Sequence, residues 1–138
     1  MIVLDSDVLS AVMRRDQVAV QWLDRQRSDT IWLTAVTVFE VTFGLEIMPR
    51  GRRRAGLEEG FKTCLDEDFG GRVIPLDGPA ASEAAVIAAA QHRIGYTLDI
   101  RDAQIAGIVA ASSATLATRN TRHFEQLGIS LVDPWLDK

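Results

Sequence analysis

Three carboxylates and one amide are the candidates for chemistry in this chain: Asp5, Glu40, Asp102 and Asn120. Each stands where the local pattern ends a strand or opens a helix. Asp5 closes the apolar run Ile2-Val3-Leu4, Glu40 falls at the opening of a helix after a second strand, Asp102 opens a later helix, and Asn120 follows a strand at Thr115 to Ala117. In open parallel sheets, ligands bind beyond the carboxyl ends of the strands, so polar residues that share this edge can converge. Carboxylates brought together raise one another's pKa, and a cation between them relieves the repulsion. An all-oxygen donor set favours Mg2+ or Mn2+ over zinc. The zinc-type donors His92, His123 and Cys64 are not spaced as a zinc site. A cation held by few carboxylates keeps positions open for water and phosphate oxygens, which points to phosphodiester hydrolysis. No Gly-rich loop followed by Lys is present, which argues against a P-loop enzyme.

Each of these residues also has a plainer role open to it. Asp5 or Ser6 can cap the first helix, and Thr37 with Glu40 fits a T-x-x-E capping box. Asp99 and Asp102 can sit in the first turn of a helix, where the macrodipole favours negative charge, and Asn120 can satisfy a turn. Capping alone does not require all of them to lie at one edge of one sheet.

The elements that must position these groups follow from periodicity. Strands are expected at Ile2 to Leu4, Thr30 to Leu33, Val73 to Leu76, Thr115 to Ala117 and Ile129 to Val132. Helical patterns run through Val8 to Met13, Val18 to about Arg27, Val38 to Met48, Arg52 to Phe69, Pro79 to Ile94, Arg101 to Ser112 and His123 to Leu127. Pro49 with Gly51, and later Gly95, mark helix stops. Parallel strands need long crossovers, which helices supply, so the interleaving predicts a three-layer α/β/α sandwich around a mostly parallel sheet.

A length of 138 residues predicts one domain, spanning 1–138. Apolar residues at 47% and charged residues at 25% are ordinary for a globular protein and exclude a disordered or collagen-like chain. The start at Met1 to Asp5 has no basic-then-apolar leader, and the run Ala84 to Ala90 is too short to span a bilayer, so a cytoplasmic protein without a membrane span is expected. With 15 Lys and Arg against 19 Asp and Glu, the net charge of −4 offers no general attraction to nucleic acid, and any such binding must be local. Lys62 and Lys138 are the only lysines, so thirteen of the fifteen cations are Arg. Arg50, Arg52, Arg53 and Arg54 form either a phosphate-facing patch or, the favoured alternative, a solvated helix start. Arg119 and His123 are secondary candidates for phosphate, although loop exposure explains both. Trp22, Trp32, Phe39 and Phe43 supply either core or an apolar groove or dimer surface, the core being commoner for aromatics at helical spacing.

The opening I-V-L-D-S-D-V-L-S around Asp5, T-V-F-E ending at Glu40, D-A-Q-I-A beginning at Asp102, and L-A-T-R-N-T-R-H-F with Thr118 and Asn120 together resemble the PIN-domain proteins. The likeness spans nearly the whole chain and is nearest to the VapC toxins of bacterial toxin–antitoxin pairs, in their FitB-like branch. It implies a Mg2+-dependent endoribonuclease, with Mn2+ as a substitute. Asp5 and Asp102 are then the metal ligands, and Glu40 orients or deprotonates the attacking water. Asn120 occupies a place where many members carry a fourth acid. That departure leaves a neutral amide there, which Asp99 would compensate. Asp7 also departs, since relatives often have Asn at that place. The resemblance further implies a homodimer and a small antitoxin that covers the cleft, the pair together binding operator DNA.

Two rivals come from other classes. L-D-S-D-V also resembles the nucleophile motif of haloacid-dehalogenase-like phosphatases, and an acid after a first strand is shared with receiver-like domains; both lack the required Lys here. A non-enzymatic module, with Asn120 marking lost cleavage and antitoxin binding retained, is the third alternative.

Overall fold

The computed structural model describes residues 1–137, so Lys138 lies outside the described residues. Five strands form one parallel sheet: β1 (Ile2–Leu4), β2 (Ile31–Thr34), β3 (Val73–Ile74), β4 (Thr115–Ala117) and β5 (Ser130–Val132), in the order β3-β2-β1-β4-β5. The chain builds outward from β1 to β2 and β3, then returns to place β4 on the other side of β1. That reversal puts the topological switch point between β1 and β4, where a crevice opens beyond the strand ends.

Side chains alternate across a sheet, and the two layers separate accordingly. Val3 and its register partner Leu116 face α5 (Gly78–Arg93) and α6 (Ile100–Ala111), where Ala80, Ile105, Ile108 and Val109 complete one core. Leu4 and its partner Ala117 face the other way, with Ile31 and Leu33, toward α1 (Ser6–Met13), α2 (Gln17–Asp24) and α4 (Arg52–Thr63), which contribute Val8, Leu9, Trp22 and Phe61. The helix α3 (Ala35–Glu46) spans both cores: Val36 joins the first, while Val38, Val41 and Leu45 pack against the second. Its remaining face carries Phe39 and Phe43, stacked 6.0 Å apart and more than half exposed. The aromatics therefore divide, Trp22 into the core and Phe39 with Phe43 onto the surface.

Several boundaries differ from the sequence expectation for identifiable reasons. α3 begins at Ala35 rather than Val38 because Thr34, not Thr37, is its cap: the Thr34 hydroxyl accepts from the Thr37 backbone N–H at 3.0 Å. The proposed Thr37–Glu40 capping box is thus absent, and Glu40 lies in the second turn with its carboxylate free for another use. β3 stops at Ile74 because Pro75 has no N–H for the ladder, which this edge strand tolerates only at its end. The long helix expected from Arg52 to Phe69 gives way at Cys64 to a π-turn over Cys64–Asp68, closed by the Phe69 N–H on the Cys64 carbonyl. Cys64 is buried there, and burial, with Asp68 nearby, pushes its thiol up to about 12. α7 (Thr121–Phe124) is a single turn that starts before the expected His123.

Of the arginine run, Arg50, Arg52 and Arg53 are exposed, as a solvated helix start requires. Arg54 is mostly buried and pairs with Glu46 at 3.0 Å and Glu58 at 2.8 Å while donating to the Glu46 and Met48 carbonyls, so it fastens the α3–α4 turn. Among the described residues, no helix is long and apolar enough to cross a membrane.

Candidate active site

The crevice between β1 and β4 begins with two adjacent strand ends. The Asp5 backbone N–H donates to the Ala117 carbonyl at 3.1 Å, which locks the first residue after β1 to the last residue of β4. Asp5 is also the N-cap of α1, its carboxylate accepting from the Val8 N–H at 3.1 Å. Capping therefore does not take Asp5 away from the strand-end crevice: the same carboxylate that caps α1 stands beside the end of β4. Thr118, fully buried just past β4, lies close enough to the Asp5 carboxyl to lower its pKa and accepts the Asn120 backbone N–H on its hydroxyl at 3.0 Å. Thr118 is a site residue that sequence reasoning passed over, although it sat inside the motif that contains Asn120.

Only 7% of Asp5 is exposed, and burial is the main reason that its carboxyl is pushed up to about 8. The Asp7 carboxyl, in the first turn of α1, adds to the shift by proximity and by charge, while Thr118 and the Val8 N–H oppose it. The charge of Asp7 also reaches Glu40. Asp7 thus joins two halves of one acidic field, a placement its exposed position at the start of α1 allows.

The second half stands where α3 meets the start of α6. Asp99 caps α6 by accepting from the Arg101 N–H at 2.9 Å, and Asp102 lies in the first turn. Glu40 reaches toward them from α3, and the Arg101 guanidinium stands 3.7 Å from both Glu40 and Asp99. Burial raises the Glu40 carboxyl first; Arg101 lowers it, and Asp102, Asp99 and Asp7 raise it again. Asp102 is likewise raised, by burial and then Asp99, against the pull of His123 and Arg101. The His123 Nδ1 lies 3.6 Å from the Asp102 carboxylate, an electrostatic contact too long for a hydrogen bond. The acid beside His123 comes from a distant part of the chain, since α7 carries the imidazole to the mouth of α6. Arg101 gave no sequence signal beyond its place beside Asp102.

Asn120, exposed at the start of α7, makes no side-chain cap bond, so its amide is not consumed by the turn it was expected to satisfy. Its backbone is tied to the site through Thr118, whereas Asp99 sits with Glu40 and Asp102. Asp99 therefore adds negative charge to the second half of the field from the cap position of α6.

Among the described residues, no three His, Cys, Asp or Glu side chains form a closed metal cage. The donor set nonetheless fits a hard divalent ion. Mg2+ is commonly held by one or two carboxylates and keeps several waters, so a complete protein cage is not required. Three carboxyls raised by burial, with Asp7 adding to Asp5, Asp99 to Asp102, and Asp102 to Glu40, are the electrostatic situation that such a cation relieves.

Comparison with known proteins identifies the family. The PIN domain model matches residues 2–129. Plasmid stability protein StbB of Pseudomonas syringae pv. tomato is 35% identical over 137 residues, covering 98% of this chain and 99% of that protein. VapC ribonuclease Y4jK of Sinorhizobium fredii is 34% identical over 137 residues, covering 98% of each. The crystal structure of FitAcB from Neisseria gonorrhoeae superposes with a TM-score of 0.90 at 30% identity, over 99% of this chain and 100% of that one. The FitAB complex bound to an IR36 DNA fragment superposes with the same TM-score, over 100% of this chain and 98% of that one. Matched almost from end to end in sequence and in fold, this chain belongs to the PIN-domain family, among its VapC and FitB-like toxins.

Proposed function

We propose that this chain is a metal-dependent endoribonuclease, the toxin of a toxin–antitoxin pair acting in the cytoplasm, and that Asp5 and Asp102 hold a Mg2+ ion, or Mn2+ in its place. The observation that carries the proposal is the acidic field at the switch point, in which burial and like charge raise Asp5, Glu40 and Asp102 together. When bound, such an ion polarises a phosphate oxygen and lowers the pKa of a water, which supplies both an electrophile and a nucleophile for phosphodiester hydrolysis.

The chain's own residues do the rest. Asp5, fixed by its cap bond to Val8 and its contact with Thr118, presents a carboxylate whose rotamer is already set. Glu40 orients the attacking water and takes its proton; Arg101, 3.7 Å away, opposes the rise that burial imposes on its carboxyl. His123 beside Asp102 helps hold that carboxylate charged. The Asn120 amide supplies a hydrogen-bond donor for a phosphate oxygen or a water but no negative charge.

The proposal includes partners: an antitoxin, a second copy of this chain and, as in the FitAB complex bound to a DNA fragment, DNA held by the assembly, here its own operator. The surface that favours this part is a groove of about 510 Å³ beside the acidic field, where Phe39, Phe43, Leu76 and Ile100 line the wall next to Arg101. Ile100 is 69% exposed and Phe39 60%, which is costly for an isolated chain and is relieved by association. PIN-family membership removes the basis for the phosphatase and receiver alternatives. Incubating antitoxin-free protein with total RNA, with and without Mg2+, and mapping cleavage ends against Asp5→Asn is the direct test. Cuts should appear only with the ion and only in the unsubstituted protein. Antitoxin binding with no cleavage in Mg2+ or Mn2+ would favour the non-enzymatic module instead.

A further inference from the structure

Two hollows flank α1 and share one wall. Ser6, Ser10 and Arg14 recur at every fourth residue and so line one side of that helix. Across a hollow of about 430 Å³ they face Glu40 and Arg101; across a second, of about 390 Å³, Ser6, Asp7, Ser10 and Arg14 face Arg119 and Trp135. The second hollow opens on the acidic field through Asp7, yet its walls carry two guanidinium groups.

Arg119 is held there rather than merely exposed. Its guanidinium lies 4.4 Å from the centre of the Trp135 ring, a cation–π contact. Trp135 is itself bracketed: its N–H donates to the Asp133 carboxylate, the Leu136 and Asp137 N–H groups return to the Asp133 carbonyl, and the Trp22 indole and Arg25 bind Asp137. On its other side Arg119 follows Thr118, the buried residue that lowers the Asp5 pKa and whose hydroxyl accepts the Asn120 N–H. Around the site Arg101 is occupied by Glu40 and Asp99, whereas neither Arg14 nor Arg119 makes an ion pair among the described residues.

We propose that Arg14 and Arg119 form a phosphate grip for the RNA strand next to the cleavage point, with Trp135 a positioning residue that holds Arg119 in place. This rests on the ribonuclease reading and identifies how a chain of net charge −4 retains a polyanion beside its own carboxylates. Guanidinium forks match phosphate oxygens, and the Ser6 and Ser10 hydroxyls along the same wall are donors of the kind that seat a backbone without reading its bases. An acidic segment of a protein partner is the competing occupant. RNA is favoured because Asp7, whose charge reaches both Asp5 and Glu40, is itself part of the wall of this hollow.

The test measures binding of a short fluorescein-labelled single-stranded RNA in EDTA, across a salt series, and then cleavage of the same RNA in Mg2+. Arg14→Gln and Arg119→Gln should each weaken binding about tenfold and reduce the salt slope by about 0.7, the share of one lost phosphate contact on a single strand. In cleavage, each should raise KM with kcat nearly unchanged. Trp135→Leu should reproduce the Arg119→Gln loss without adding to it in the double variant, and Trp135→Phe should restore most of the affinity. If Trp135→Leu fails to fold, the exposed Arg119 carries the test through Arg119→Gln alone. Unchanged RNA affinity and salt slope in both arginine variants overturns the grip, as does weakening confined to antitoxin binding. Unsubstituted protein that binds RNA through these residues but never cuts it would sink the ribonuclease reading and leave the grip standing.

Discussion

The two ends of α6 teach opposite lessons. From Ala103 to Val109 the helix is buried almost without interruption, and Gly107 lies so close to α5 that an added Cβ would meet the Ala80 carbonyl oxygen at 2.5 Å and Ala84 Cβ at 2.6 Å. At its first turn the same helix gathers Asp99, Arg101 and Asp102 against Glu40 and His123. The packed end agrees with every local rule of stability, whereas the charged end violates them by crowding like charges in a partly buried place. Such local conflict is characteristic of sites that spend stability on chemistry. One end should respond to volume and the other to charge.

The largest effect should come from removing charge at the rim. Asp5→Asn and Asp102→Asn should abolish RNA cleavage while the melting temperature holds or rises, because each relieves repulsion and keeps the shape. Cleavage that survives either substitution would break the contrast. Glu40→Gln should cost at least about 100-fold in kcat, the usual contribution of a positioned general base, and single-turnover kinetics would show it.

At the packed end, Gly107→Ala should destabilise the fold by about 2 kcal/mol by overpacking against α5, leaving cleavage per folded molecule unchanged. Denaturant unfolding measures the first quantity and active-fraction kinetics the second. A neutral outcome would mean that the α5–α6 contact yields more readily than the backbone carbonyl of Ala80 suggests.

A separate effect, of another kind, is in the pH dependence of the metal-free protein. The Asp5 carboxyl rises from 3.8 to about 8 on folding, so between those values the folded state holds a proton that the unfolded chain has released. Its contribution is fully favourable below the lower value and fades as pH rises toward 8. Thermal melts in EDTA should therefore fall in temperature from pH 5 to pH 8, Asp5→Asn should flatten that slope, and Mg2+ should recover stability at pH 8. A melting temperature that climbs through this window would contradict the electrostatics of the rim.

Much of this contrast was legible in the amino-acid sequence. Asp5 follows a short β-branched run and Asp102 precedes an apolar helical pattern, so local periodicity placed both beyond strand ends or at helix starts. Glu40 was placed on the right element but one turn too early, because Thr34 and Thr37 are both capable caps and only the end of β2 decides between them. The contacts of Arg101 with Glu40, and of His123 with Asp102, were not legible. They join residues 61 and 21 positions apart, and no spacing rule reaches across a sheet. Phe39 and Phe43 show a related gap: helical spacing puts them on one face, but which face meets solvent depends on how α3 lies across the two cores.

The buried thiol at the π-turn has a practical consequence. Cys64, 5% exposed and with its ionisation displaced to about 12, offers essentially no thiolate at neutral pH. The molecule is in effect a cysteine-silent background. A single Cys engineered at an exposed position would be the one reactive handle for a spin label, a fluorophore or a cross-linker, with no need to edit the native residue first.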